Sequence, residues 1–166
     1  MAEEVKGAER MKLQLAEANR LLQDKEYEKA LPVLVALNKL LPPPGVAPQI
    51  YQCLGALKQW EEMIPYLEAM LSIPAIAAKP ASANFRYLLG MFYLKYERNP
   101  HKARHVWKDA LARDPAFGSR FPVIESFVRA YDATLEKGTD TFSPRVISVD
   151  LDTGTFVVSF HSTEGR

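Results

Sequence analysis

The chain says one phrase twice. Residues 25–42 read KEYEKALPVLVALNKLLP and residues 58–74 read KQWEEMIPYLEAMLSIP. Each opens on a Lys with an aromatic two positions later (Tyr27, Trp60). An acidic residue, an apolar step, a Pro (Pro32, Pro65), a Leu (Leu34, Leu67) and a closing Pro (Pro42, Pro74) follow. Self-similarity at a period of about 33 residues constrains the fold more than composition does. A unit of that size cannot bury its apolar face alone, so neighbours must stack into an array. Such arrays present extended surfaces, which suit binding better than catalysis.

Apolar spacing divides the array into helix pairs. Met11, Leu15, Ala18 and Leu22 recur at three- and four-residue steps, which predicts a helix over 9–23. Segment 26–41 supplies its partner, and Pro42, Pro43, Pro44 and Gly45 end the unit. A second pair is expected over 47–73, followed by a looser Ala/Pro stretch at 74–83. A third spans 83–115. Segment 121–136 reads as a capping helix, with Pro122 in its first turn and Phe121, Ile124, Phe127, Val128 and Leu135 on its apolar face. Lys137 and Gly138 read as its stop.

After Gly138 the period changes to two. RVISVDL (145–151) and TFVVSFH (155–161) are β-branched and aromatic, and Asp152, Thr153 and Gly154 connect them as a hairpin. Ile147, Val149 and Leu151 alternate on one side, as do Phe156, Val158 and Phe160. A lone two-stranded hairpin is marginal in water. It must therefore pack on the helices, pair with a second copy or extend a partner's sheet. The expected division is a helical array with its cap at 1–138, and a linker with the hairpin at 139–166.

In the third unit Gly90, Tyr93, Ala103, Trp107, Ala110 and Pro115 follow in an order and spacing that resembles the tetratricopeptide repeat (TPR) family. The first unit fills the same slots with Ala18, Leu21, Ala30, Leu34, Leu37 and Pro42. The second matches poorly, with Met63 in an alanine slot. The steps from Ala30 to Met63 to Ala103 are 33 and 40 residues, the longer one absorbing the Ala/Pro insertion. The resemblance covers residues 9–115. It implies a mainly α fold: a TPR-like helical array of antiparallel helix pairs, extended by a capping helix and a C-terminal β-hairpin.

The resemblance implies function only in kind. In that family the first helix of each pair lines a concave groove. Here the groove would carry Leu15, Asn19, Leu22 and Gln23, then Gln52, then Tyr87, Met91 and Lys95. This mix of amides, apolar groups and Met suits a peptide segment. Family members that grip chaperone C-terminal carboxylates use a Lys, Asn, Asn, Lys, Arg clamp. Only Asn19 falls in its slot, while Leu15, Gln49, Asn84 and Leu88 fill the others, so chaperone tails are not the expected ligand. Phe156 and Phe160 are the candidate docking residues of the hairpin.

His101 and His105 stand four apart on one helix, a metal-site spacing, but no Cys or carboxylate completes a ligand set. Asp150, Asp152 and Gly154 resemble a calcium loop, yet turn chemistry accounts for them better. Ser143, Ser148, Ser159 and Ser162 lie near His161 without a nucleophile elbow or an orienting acid. Cys53 sits in a helix with no adjacent base. No phosphate loop or dinucleotide fingerprint is present. No catalytic, cofactor or metal site is expected.

Segment 95–120 carries seven Lys or Arg against three acids, which leaves +4. Long cations normally cover helix exteriors, and the chain as a whole is only +1. Nucleic acid is therefore not the expected partner. A single Cys, no apolar run long enough to span a membrane and an N-terminal segment rich in acids point to a cytoplasmic chain. The expectation is a non-enzymatic scaffold or adaptor that binds a protein segment. It would act as a homo-oligomer or as a subunit of a larger assembly. A dedicated secretion-type chaperone and an accessory enzyme subunit are the alternatives.

Overall fold

The computed structural model describes residues 2–137 and 142–161. The chain is mainly helical and closes on a two-stranded antiparallel hairpin. Its residues divide into two compact units, Met1–Lys79 and Pro80–Arg166. The hairpin belongs to the second unit together with the helices before it, so the division expected at 138/139 falls inside that unit.

The first unit holds α1 (Ala2–Gln23), α2 (Tyr27–Asn38), α3 (Ala47–Ala56), a 3₁₀ turn (Glu61–Met63), α4 (Ile64–Leu71) and the one-turn α5 (Pro74–Ala77). Helix α2 packs on both α1 and α3, and α3 on α4. The core is Ala18, Leu21, Ala30, Leu34, Leu37, Ile50, Leu54, Met63, Leu67 and Met70, all buried.

Helix α1 begins at Ala2, well before the expected start. Residues 2–10 are exposed, so this extension rests on local propensity (Ala, Glu, Lys and Arg) and on Glu3 and Glu4 at the positive end of the helix dipole. Helix α2 ends early, at Asn38, whose side-chain oxygen accepts the Val46 N–H at 3.0 Å across the proline loop.

The doubled phrase has a local cause. Lys25 and Lys58 both lie in the left-handed region, with φ of 58° and 57°. The Lys25 N–H donates to Leu22 O at 3.1 Å and the Glu26 N–H to Leu21 O at 2.8 Å; Lys58 to Gly55 O (3.2 Å) and Gln59 to Leu54 O (2.9 Å) repeat the pattern. This is the Schellman helix stop, with Lys where Gly is usual. Arg98, at φ 49°, takes the corresponding place after α6, and there the Asn99 N–H reaches one residue further back, to Tyr93 O at 2.9 Å. The turn between α6 and the next helix is thus one residue longer than the other two.

The second unit holds α6 (Ser82–Lys95), α7 (Pro100–Arg113), the short α8 (Ala116–Arg120), α9 (Pro122–Glu136), β1 (Ser143–Asp150) and β2 (Thr155–His161). Asn99 caps α7 by accepting the Lys102 N–H at 3.1 Å. Helix α9 begins on Pro122 and buries Ile124, Phe127, Val128 and Tyr131. Gly138, the expected stop of α9, lies outside the described residues.

Trp107 is the hub of this unit, with 0 % of its surface exposed. Its Nε1 donates to Arg86 O at 3.2 Å. Phe127 meets its ring edge-on at 5.6 Å and Phe156 of β2 stacks on it at 5.3 Å. Phe160 adds contacts with Phe127 and Phe142. Of the three fates open to the hairpin, it takes the first and packs on the helices.

One expectation about its faces is corrected. Val146 pairs with Val158, but Ser148 pairs with Val157, so Ile147 is a bulged residue without a partner. One inserted residue exchanges the two faces of a strand. Val146 and Val149 therefore back Val158 and Phe156, while Ile147 is turned out and 53 % exposed.

Candidate functional site

In the first unit, α1 and α3 form the walls of a cleft of about 450 Å³. Asn19, Leu22 and Gln23 contribute from α1, one helical turn apart, and Gln49 and Gln52 from α3, three residues apart. Asn19, Leu22, Gln23 and Gln52 were foreseen as groove residues, and the cleft brings them together. Leu15 lies a turn earlier on α1 and is half-buried. Gln49 completes the set. Its signal was a carboxamide one helical turn before Gln52.

The chemistry of this cleft is uncharged. Each carboxamide offers one acceptor oxygen and two N–H donors, the same groups a peptide backbone presents. Gln49 Oε1 is buried and has no hydrogen-bond partner. An orphaned acceptor of that kind costs about 1–3 kcal/mol.

The other candidate residues lie in the second unit, where most serve its packing. Met91 is 1 % exposed and faces the core, so it does not line a surface. Tyr87 stacks flat on Phe121, with ring centroids 4.5 Å apart. Its hydroxyl sits against Gly154, whose φ of +69° and crowded position leave no room for a Cβ. Burial pushes the Tyr87 hydroxyl pKa up. Phe156 and Phe160 are turned toward Trp107, Phe127 and Tyr131. Lys95, at the end of α6, is exposed.

The basic segment is largely neutralised within the unit. Lys102 pairs with Glu97 at 3.3 Å, Arg113 with Asp109 at 2.9 Å, and Arg120 with Asp114 at 3.1 Å. Arg104 and Lys108 share Asp132, at 2.7 and 3.0 Å. Burial works against the Asp132 charge, but hydrogen bonds from Lys108 and Arg104 outweigh it and hold the carboxyl below its ordinary range.

His101 Nδ1 meets the Tyr131 hydroxyl at 2.5 Å, and its ring also packs edge-on against Tyr131 and Phe142. Among the described residues no three His, Cys, Asp or Glu side chains gather as metal ligands would. Cys53 is buried, and burial pushes its thiol pKa up, away from the reactive thiolate. Asp150 accepts the Asp152 and Thr153 N–H groups at 3.0 and 3.3 Å, which makes it a turn residue. No described helix is long and apolar enough to cross a membrane. Comparison with known proteins finds no matching family model, no matching curated sequence and no matching solved structure.

Proposed function

We propose that this chain is a non-enzymatic protein-interaction module, built on TPR-like stacking of helix pairs, that grips an extended segment of a partner protein. The observation that carries the reading is the convergence of Asn19, Leu22, Gln23, Gln49 and Gln52 on one cleft. Four carboxamides around one Leu match a peptide: amides for its backbone, an apolar floor for one side chain. A ligand that draws the Gln49 carboxamide round to face the cleft also satisfies its orphaned oxygen. Two buried alanines at matching places in the first and second helices of a pair, Ala18 and Ala30, support close helix stacking of the TPR kind.

Because none of these five side chains titrates, binding at the cleft is insensitive to salt and to pH near neutrality. The test is affinity capture with the full chain against an Asn19→Ala/Gln52→Ala double variant, washed at high salt and read by mass spectrometry. A protein captured stoichiometrically by the parent and lost with the variant supports the reading. Identical captured sets would sink it. Point variants are preferable to hairpin deletion, which would strip Phe156 and Phe160 from the Trp107 cluster and unfold what it aims to probe.

A further inference from the structure

The internal ion pairs leave two cations of the basic segment over. Lys95 and Arg98 make no ion pair among the described residues, whereas Lys102, Arg104, Lys108, Arg113 and Arg120 all do. Both line one cleft of about 230 Å³, together with Leu94, Val146, Ser148 and Val149. The opposite wall is β1. Val146 and Val149 face the helices while Ser148 faces out, so residues from both faces of the strand meet the same space. A cleft with that lining runs along the strand's edge. Within the described hairpin, β2 is the only strand paired with β1, so the other edge has no strand partner.

From this juxtaposition we infer that the β1 edge is a second binding site, which takes a short acidic segment of a partner protein in extended conformation. The edge backbone supplies hydrogen bonds of the kind used in strand addition. Lys95 and Arg98 receive a carboxylate side chain, for which Arg offers a bidentate fork and Lys a point charge. Asp150, whose carboxyl is engaged by the Thr153 and Asp152 N–H groups, is the nearby acid and also feels Lys95. The bulge at Ile147 interrupts regular pairing, which limits the added segment to a few residues. This site is charged where the carboxamide cleft is not, so the two are separable by salt.

The probe is a short fluorescein-labelled peptide alternating Val and Glu, with the Val/Gln counterpart as control, titrated against the full chain. The variant is Lys95→Gln/Arg98→Asn. Asn is chosen at 98 because it tolerates the left-handed backbone there, and circular dichroism checks that helix content is kept. The Val/Glu peptide is expected to bind saturably and to weaken as salt rises. The Gln substitution and the double variant should each weaken it by about tenfold or more. In the ¹⁵N-labelled chain the peptide should move the amide resonances of Lys95, Arg98, Ser148 and Val149. The Asn19→Ala/Gln52→Ala variant should bind it unchanged, which keeps this site's outcome independent of the carboxamide cleft. Equal binding of the two peptides, or parent-like binding by the Lys95→Gln/Arg98→Asn variant, overturns the inference and leaves the cations as guards against edge-to-edge aggregation. Displacement of the peptide by a single-stranded oligonucleotide of higher affinity also overturns it, in favour of a phosphate ligand.

Discussion

Gly90 of α6 lies flat against the indole of Trp107 of α7: a Cβ at position 90 would overlap Cε2, Nε1 and Cζ2 of that ring. The helices approach closely because one residue has no side chain, and the space is filled by the largest side chain available. Trp107 is fully buried and Phe127 and Phe156 hem it in, so it has nowhere to move. Gly90→Ala should destabilise the second unit by about 1–3 kcal/mol, and Gly90→Leu by more. Each unit carries one tryptophan, so in a Trp60→Phe background the Trp107 fluorescence reports on the second unit alone during urea denaturation. An unchanged midpoint would refute the close contact.

The hairpin is held by its aromatics, so Phe156→Ser and Phe160→Ser should weaken the fold rather than improve solubility. Both rings are half-buried, so each change should cost about 2 kcal/mol, less than the 3–5 kcal/mol typical of full burial. Ile147→Ser and Val157→Ser, at 53 % and 54 % exposure, should stay within about 0.5 kcal/mol of the parent. Reversal of that order in thermal melts would place the hairpin's faces the other way round.

Lys25 and Lys58 hold a backbone conformation that disfavours a Cβ. Glycine there relieves steric strain of about 1–2 kcal/mol but adds freedom to the unfolded chain, for a net gain of about 0.5–1 kcal/mol. Lys25→Gly and Lys58→Gly should therefore each raise the denaturation midpoint, while Lys25→Val should lower it. A loss of stability on glycine substitution would count against the left-handed turn.

Asp132 ties α9 to Arg104 and Lys108 of α7, and its carboxyl titrates below the ordinary range because those bonds outweigh burial. A depressed carboxylate stabilises the fold above its unfolded pKa of about 3.9, and that contribution fades as pH falls through the lower folded value. Asp132→Asn should cost about 1 kcal/mol at neutral pH, a modest figure for a partly exposed network. The difference from the parent should shrink below about pH 4. A deficit of the same size at every pH would point to packing instead of charge.

Much of the helical layout was legible in the chain. Apolar residues at three- and four-residue steps located α1, the TPR-like spacing located α6 and α7, and the capping helix expected over 121–136 is α9, which starts one residue later at Pro122. The doubled phrase opens on two helix stops, where local hydrogen bonds make the turn at Lys25 and Lys58. Helices α5 and α8 were missed, because one-turn helices carry too few residues to show a period. Of the candidate site, Asn19, Leu22, Gln23 and Gln52 were named from the TPR resemblance. Gln49 entered only as a departure from the carboxylate clamp, because nothing local says that a half-buried amide on α3 shares a cleft with α1.

The sequence by itself determined where the chain turns and which segments become helix or strand, because those choices rest on neighbours a few residues apart. Tertiary structure decided what each surface is left with. The bulge at Ile147 needed β2 opposite β1 before it could exchange the faces of the strand. Asp132 had to be brought from α9 before Arg104 and Lys108 were spent, leaving Lys95 and Arg98 at the β1 edge. Phe156 turned inward only because α7 and α9 offered Trp107 and Phe127 to pack on. Pairing of strands, charges and rings depends on groups far apart in the chain, and no local pattern encodes which of them will meet.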